Sequence, residues 1–360
     1  MINIGFDARM ITHPGIGRYM QNLFTVWRNN INGVKLKLYG NPDELRPFSP
    51  LEICAYNASL YSWQELASKT FNDQSLDLVH IPHFNAPLGK PKRLVVTIHD
   101  LIYLKFPQSS SFLRHVAFKP LLAHVLKRAD RIIAVSENTK QDIIKFCPTA
   151  SEKIEVIYEA ADPMFRKIED TTYLEQMRQK LNLPKEFILF VGSIRSHKNI
   201  ERLLEAYCRL QALGIKHRLV LVGRPNPRES YLLEKIKATD AMFLAQASPQ
   251  DLVALYNLAT VLVLPSVYEG FGLPVLEAMA CGVPVAVSSV ASLPEIASKA
   301  AVYFDPFDSK DIQAALCRIC SDEGLRKRLI QEGFARNSQF SWDKAAAQTL
   351  RVYQSIYESA

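Results

Sequence analysis

A chain of 360 residues is long for one hydrophobic core and comfortable for two of about 150–200 residues each. With 48% hydrophobic and 22% charged residues and no low-complexity tract, a disordered or fibrous protein is excluded. No apolar run approaches the ~20 residues of a membrane span, and MINIGFDARM opens as a buried strand rather than a signal peptide, so the expected address is the cytoplasm.

In chain order the first half predicts a strand at Ile2–Phe6, a helix over about Gly15–Asn29, a strand at Val34–Leu38 and a helix near Trp63–Thr70. Strands follow at Leu76–His80, Leu94–Ile98 and Arg131–Val135, the last leading into a helix with Ser136 as its N-cap. RLVVTI and RIIAV are continuous apolar runs, the pattern of strands covered on both faces of a parallel sheet. The pattern loosens over Asp162–Lys185, where the domain boundary is expected. It then restarts with strand Phe187–Val191, helix Asn199–Leu213, strand Leu219–Val222 and helix Glu229–Ala238. A strand near Met242–Ala245, a helix from Pro249 to Leu258, and strands at Val261–Leu264 and Val283–Val287 follow, with a last helix over Ser341–Tyr357. Alternating strands and helices in both halves predict two doubly wound α/β domains, whose ligands bind at the carboxyl ends of strands.

The richest segment at such an end is YEGFGLPVLEAMACGVPV, from Tyr268 to Val285. Glu269 ends a strand, Gly270, Phe271 and Gly272 make a turn, and Pro274 suits the first turn of a helix carrying Glu277. A glycine turn opening onto a helix N-terminus offers unpaired N–H groups to an anion such as a diphosphate. Carboxylates in turn accept hydrogen bonds from the vicinal hydroxyls of a sugar or ribose. Glu269 and Glu277 alone are equally compatible with an ordinary strand–turn–helix in which Glu277 stabilises the helix start. In VGSIRSHKNIERLLEAY, Lys198 stands at a helix entrance, where its ammonium would meet negative charge on a leaving diphosphate. Gly15 and Gly17 precede the first helix as a G-x-G turn, and His99 with Asp100 ends the strand RLVVTI.

YEGFGLPVLEAMACGVPV, with its E-x7-E pair, resembles the signature of retaining glycosyltransferases of family 4. SPQDLVALYNLATVLVLPS before it, ASLPEIASKAAVYFDPFD after it, GFDARMITHPGIGRY and VVTIHDLIYLKFP extend the resemblance over most of the chain; it is weakest between Leu38 and Asp77. The resemblance implies the α/β GT-B fold, two Rossmann-like domains facing a central cleft. Residues 1–165 would bind the acceptor, 166–340 the nucleotide sugar, and 341–360 would form a helix packing back on the first domain. It also implies that Glu277 binds ribose hydroxyls, Glu269 donor-sugar hydroxyls, and the amides of Phe271, Gly272 and Leu273 the sugar and phosphates. Gly15 and Gly17 match the family's N-terminal glycine loop, Lys198 its lysine, and His99 the histidine beside the donor sugar. An arginine often follows the glycine at position 192; here Ser193 stands there and Arg195 is the candidate second charge. Ala245 likewise stands where the family often has glycine.

The implied reaction moves a hexosyl group, with mannose favoured, from a GDP- or UDP-linked donor to a saccharide or lipid-linked saccharide. Attack would come from the front face, with no cofactor and no metal, since no Asp-x-Asp pair is present to hold a metal-bound diphosphate. A nucleotide-sugar epimerase or glycosyl phosphorylase on a similar fold, and a catalytically inactive nucleotide-sugar-binding subunit, are the alternatives.

The net charge of +7 is unevenly placed: Lys90 to Arg131 holds nine basic residues against two acids, a surplus equal to that of the whole chain. Without a recognisable nucleic-acid-binding module, this argues for an anionic membrane, an anionic substrate or a solvated helix face. Residues 110–128, SSFLRHVAFKPLLAHVLKR, interleave basic with apolar residues. They could lie on the inner face of a membrane and present a lipid-linked acceptor, or pack as an ordinary amphipathic helix that Pro120 would kink or break. The six cysteines are scattered, and Cys317-x-x-Cys320 lies in an apparent helix without further ligands nearby, which reads as packing. His80 and His83 are placed at a strand end or loop rather than a metal site.

Overall fold

The computed structural model describes residues 1–29, 31, 33–60, 62–86, 89, 91–106 and 112–358, with the backbone alone for residues 66 and 112–117. Two units emerge from the contacts: Met1–Glu159 together with Ser341–Ala360, and Ala160–Phe340.

In the first unit, β1 (Ile2–Asp7) leads through α1 (Ile16–Trp27) to β2 (Val34–Gly40), then α2 (Pro42–Leu45), β3 (Glu52–Ala55) and α3 (Trp63–Leu66). β4 (Leu78–Ile81), β5 (Leu94–Ile98), α4 (Ile102–Lys105), α5 (Phe112–Arg128), β6 (Arg131–Ala134), α6 (Glu137–Phe146) and β7 (Ile154–Val156) complete the alternation. The seven strands lie parallel in the order β3-β2-β1-β4-β5-β6-β7. Every residue of β4 and β5 is buried, because helices cover both faces. Ser136 caps α6, its hydroxyl accepting from the Thr139 amide, as expected.

The second unit opens with α7 (Thr171–Lys180) and β8 (Phe187–Val191), followed by α8 (Ile200–Ala212), β9 (Arg218–Val222), α9 (Tyr231–Lys237), β10 (Met242–Leu244) and α10 (Pro249–Leu258). β11 (Val261–Leu264), α11 (Leu273–Ala280), β12 (Val285–Ser288), α12 (Leu293–Ala297), β13 (Ala301–Phe304), α13 (Ser309–Ser321) and α14 (Glu323–Asn337) follow. Its six parallel strands run β10-β9-β8-β11-β12-β13. In each sheet the strand order grows outward in one direction and then reverses: between β1 and β4 in the first, between β8 and β11 in the second. Such a switch point leaves a crevice at the carboxyl ends of the two strands, where ligands of doubly wound sheets bind.

The last helix, α15 (Trp342–Glu358), belongs to the first unit. Its Tyr353 hydroxyl lies 2.5 Å from His80 Nδ1, and His80 Nε2 lies 2.8 Å from Thr97 Oγ1. Thr97 in turn lies 3.1 Å from the Tyr19 hydroxyl, so a buried polar chain ties α15, β4, β5 and α1 together. His80 therefore sits inside a strand and is satisfied on both ring nitrogens by hydroxyls.

Several sequence expectations need correction. α1 begins at Ile16, so Gly17 lies inside the helix rather than in the loop before it. A Cβ on Gly17 would stand 2.4 Å from the Ile11 carbonyl oxygen, so the glycine permits helix and loop to touch. The helix near Trp63 stops at Leu66, α8 starts at Ile200, and α5 continues through Pro120. Strands β3, β7 and β13 had no counterpart in the sequence reading. Lys90 and residues 107–111 of the basic segment lie outside the described residues. Cys317 and Cys320 are free thiols in α13, and burial pushes the Cys320 thiol up to about 12, in keeping with packing.

Candidate active site

β8 and β11 flank the switch point of the second sheet, and the loops after them carry Lys198 and Glu269. Lys198 closes a short 3-10 turn, Ser196–Lys198, and Asn199 then adopts a left-handed conformation (φ 61°) that redirects the chain into α8. The Asn199 side-chain amide donates to the carbonyls of Pro265 (3.0 Å) and Pro306 (2.6 Å), binding the β8 loop to the β11 loop. Val267 N donates to the His197 carbonyl at 2.9 Å, a second tie between the same loops. The result is an ion pair: Lys198 Nζ lies 2.5 Å from Glu269 Oε1, with side chains 14% and 13% exposed. Ser266 Oγ donates to the same carboxylate oxygen at 2.6 Å.

α11 begins beyond this pair. Gly272 is its N-cap with φ 110°, Pro274 occupies the first turn, and no side chain caps the first amides. A positive charge at a helix N-terminus without a side-chain cap is a place for an anion. Ser292 Oγ holds the turn from behind, reaching the carbonyls of Phe271 (2.7 Å) and Glu269 (3.0 Å). Gly270 and Phe271 are buried in this turn, and Leu273 opens the helix. Glu277, 1% exposed, accepts a hydrogen bond from the Tyr256 hydroxyl at 2.7 Å. A carboxylate among the apolar residues of α11 is costly unless bonded, and Tyr256 from α10 offsets part of that cost. The structure thus joins Lys198 and Glu269 directly, whereas Glu277 has its own partner deeper in the unit.

Arg195 lies three residues before Lys198, on the same loop. Burial works against the charge of Glu229, but hydrogen bonds from Ser196 and Asn226, with the Arg195 charge, hold its carboxyl below the usual range. The Arg195 charge thus lies close enough to Glu229 to help keep it ionised. His197 beside them is pushed down to about 2 by burial and by the charges of Lys198 and Arg195, so it is neutral and adds no cation. Among the described residues no group of three His, Cys, Asp or Glu side chains could hold a metal ion.

In the first unit, His99 follows β5, and its Nδ1 lies 2.9 Å from Glu159 Oε1. The carboxylate can only accept, so Nδ1 carries the proton in that bond. Nε2 is buried and unpartnered among the described residues. Tyr19 packs edge-on against the imidazole at 4.9 Å between centroids. Asp100 turns back to accept from the Ile102 amide, which orients the loop. Gly15 caps α1 with φ 83°, and nothing lies within 4 Å of where its Cβ would stand. Sequence reading missed Glu159, Ser266, Ser292, Tyr256 and Asn199's bridging role; only the serines of SSVASLPE, next to a turn, offered a signal.

Fold and comparisons agree. The solved structure of Anabaena HepE in complex with UDP-glucose superposes with a TM-score of 0.79 at 17% identity, over 99% of this chain and 100% of that one; the fold is the α/β GT-B fold. The family model "Glycosyltransferase Family 4" matches residues 15–165, and "Glycosyl transferases group 1" matches 174–336. An Escherichia coli protein, O-antigen chain mannosyltransferase B, is 30% identical over 85% of this chain and 80% of its own length. Serotype-specific mannosyltransferase WbdA of E. coli is 32% identical over 78% of this chain, and the match takes in 35% of WbdA, so the chain spans about a third of that relative. The chain belongs to glycosyltransferase family 4.

Proposed function

We propose that the chain is a retaining, metal-independent glycosyltransferase that moves a mannosyl group from GDP-mannose to a saccharide or lipid-linked saccharide. The observation that carries this reading is the Lys198–Glu269 pair at a switch point, beside the uncapped N-terminus of α11. The choice of mannose rests on relatives named as mannosyltransferases, one of them an O-antigen chain mannosyltransferase.

In this reading the nucleoside diphosphate lies at the carboxyl ends of β8 and β11. Its phosphates meet Lys198, with Arg195 as a second charge, and the amides of Phe271, Gly272 and Leu273 at the start of α11. As the sugar–phosphate bond breaks, negative charge grows on the leaving oxygens, and a fixed cation and helix dipole stabilise that state more than the ground state. These groups take the place a metal ion would otherwise fill. Glu269 accepts from donor-sugar hydroxyls, and its pairing with Lys198 fixes both side chains before the ligand arrives. Glu277 binds the ribose, exchanging or sharing its bond with Tyr256. His99 keeps the role the family resemblance gives it, and the open space beside Gly15 leaves the start of α1 within reach of a ligand, while Gly17 packs on the Ile11 carbonyl. The acceptor hydroxyl attacks from the face the phosphate leaves and gives its proton to the departing phosphate oxygen, so the glycosidic bond forms as the sugar–phosphate bond breaks and the anomeric configuration is retained. The basic surplus of residues 90–131 suits an anionic membrane carrying a lipid-linked acceptor; among the described residues no helix is long and apolar enough to cross a membrane.

A donor screen tests this. GDP-mannose and UDP-sugars are incubated with the protein, acceptor saccharides and excess chelator, and nucleoside diphosphate release is followed. GDP release with chelator present, and an α-linked product by NMR, are expected. Release only after adding a divalent cation, or an inverted anomer, would refute the proposed mechanism.

A further inference from the structure

The first unit has a switch point of its own, between β1 and β4, and a buried charged network occupies it. Arg9, two residues beyond β1, donates from Nη2 to Asp7 Oδ2 and to Glu65 Oε1, each at 2.6 Å. Its Nη1 donates to the Ala58 carbonyl at 3.0 Å, and its guanidinium stacks 4.4 Å over the Tyr56 ring. Asn85, four residues past the end of β4, donates to the other Glu65 oxygen. Arg9, Asp7 and Glu65 have side chains 5%, 6% and 0% exposed.

Burying three charges this deeply seldom adds stability over an apolar packing of the same volume; what it adds is a fixed geometry. The element it fixes is α3. This four-residue helix is held to the carboxyl edge of the sheet by Glu65, with Ser62 capping its start. Two positions before Glu65 stands Trp63, 85% exposed, with no ring contact among the described residues. A tryptophan so exposed on a clamped helix is unlike the chain's other two: Trp27 is fully buried and Trp342 is 4% exposed.

We infer that Trp63 is a stacking platform for a pyranose ring of the acceptor saccharide, presented at the β1–β4 switch point by the Asp7–Arg9–Glu65–Asn85 network. The inference rests on the glycosyl-transfer reading for the identity of the ligand, and on the switch point for its place. An indole offers a flat apolar face and a single N–H; a pyranose offers a face of C–H groups ringed by hydroxyls. Stacking buries both apolar faces while the hydroxyls stay in water, and a platform that is already rigid loses little entropy on binding. Because hexopyranoses share such a face, the platform sets affinity for a sugar chain rather than the choice among sugars.

Fluorescence isolates this residue, because acrylamide reaches an exposed indole and is excluded from the two buried ones. The full-length protein, without donor, is titrated with α-linked mannotetraose and, in parallel, with glucose- and galactose-based tetrasaccharides. Protection from acrylamide with a blue shift by at least one of them is expected, and its disappearance in Trp63→Ala. In transfer assays Trp63→Ala should raise the acceptor KM about tenfold, leaving kcat and the donor KM unchanged, and Trp63→Phe should recover most of the loss. An exposed residue leaves the melting temperature in place, which checks that the variant is folded. Quenching that no saccharide alters, or an acceptor KM that Trp63→Ala does not change, overturns the inference. Failure of the transfer reading would show separately, as loss of nucleoside diphosphate binding in the wild-type protein.

Discussion

Lys198 Nζ stands 2.5 Å from Glu269 Oε1, and the two residues come from the loops after the two strands that flank the switch point of their sheet. Topology brings them to one place although 71 positions separate them in sequence. A charge-assisted contact of this kind is worth about 1.5–3 kcal/mol. If Lys198 transfers that contact to the leaving diphosphate, Lys198→Ala lowers kcat/KM by roughly 10- to 150-fold, at ~1.4 kcal/mol per decade. Steady-state kinetics on a variant with wild-type circular dichroism is the check, and undiminished kcat/KM removes Lys198 from the mechanism.

Glu277 and Tyr256 give a prediction for binding rather than turnover. Glu277→Gln keeps a side chain that can bond to Tyr256 and removes the charge offered to ribose hydroxyls. Calorimetry with GDP should show affinity falling about tenfold, and Tyr256→Phe, which removes the hydroxyl that holds the Glu277 carboxylate in place, should cost about two- to tenfold. Unchanged GDP affinity in Glu277→Gln would refute the ribose assignment.

The bond from Glu159 to His99 Nδ1 leaves Nε2 as the ring atom able to meet a ligand. Glu159→Ala should release the imidazole and lower kcat about tenfold with little change in donor KM. Glu159→Gln, whose amide oxygen can still accept the proton, should lie between the two. Equal kcat in all three proteins would make the pair purely structural.

Three histidines, His80 and His197 buried and His83 half-buried, set an acid limit on stability. Burial, with the charge of His99, pushes His80 down to about 3; burial, with the charges of His99, His13 and Arg9, does the same to His83; His197 falls to about 2. Each ordinarily titrates near 6.5, so below that pH the unfolded chain takes up protons that the folded one refuses. Stability is therefore full above about pH 6.5 and falls on acidification toward pH 3, by up to ~1.4 kcal/mol per pH unit for each histidine. Urea midpoints measured from pH 7.5 to 4.5 should decline steadily once below pH 6.5. A flat profile contradicts the burial of these rings as neutral groups.

Gly272 caps α11 at φ 110°, where an added Cβ would also lie 2.8 Å from Leu293 Cδ2. The leucine end can move, so the backbone sets the cost: Gly272→Ala should lose about 1–3 kcal/mol of stability and weaken GDP binding as the turn shifts. Denaturant unfolding and calorimetry on the same variant check both effects.

Much of this was legible in the chain because the strands are continuous apolar runs and the signature string names its own turn. Ile188 to Phe190 and Val261 to Leu264 are fully buried, as runs of that kind should be. Strands β3, β7 and β13 escaped notice because EICA, IEV and AVYF are short or mixed, and edge strands bury less surface. With β7 unseen, Glu159 had no strand end to belong to, and its bond to His99 spans 60 residues, beyond any local pattern. Gly17 misled for a related reason: a glycine in a G-x-G reads as a turn, while its actual role is contact with the Ile11 carbonyl, which only the folded chain reveals.

The most direct test of the account is a crystal structure of the protein soaked with GDP. The diphosphate is expected at the carboxyl ends of β8 and β11, within hydrogen-bond reach of Lys198 Nζ and the first amides of α11, with the ribose on Glu277. Well-ordered GDP bound anywhere else, with the Lys198–Glu269 pair untouched, would contradict it.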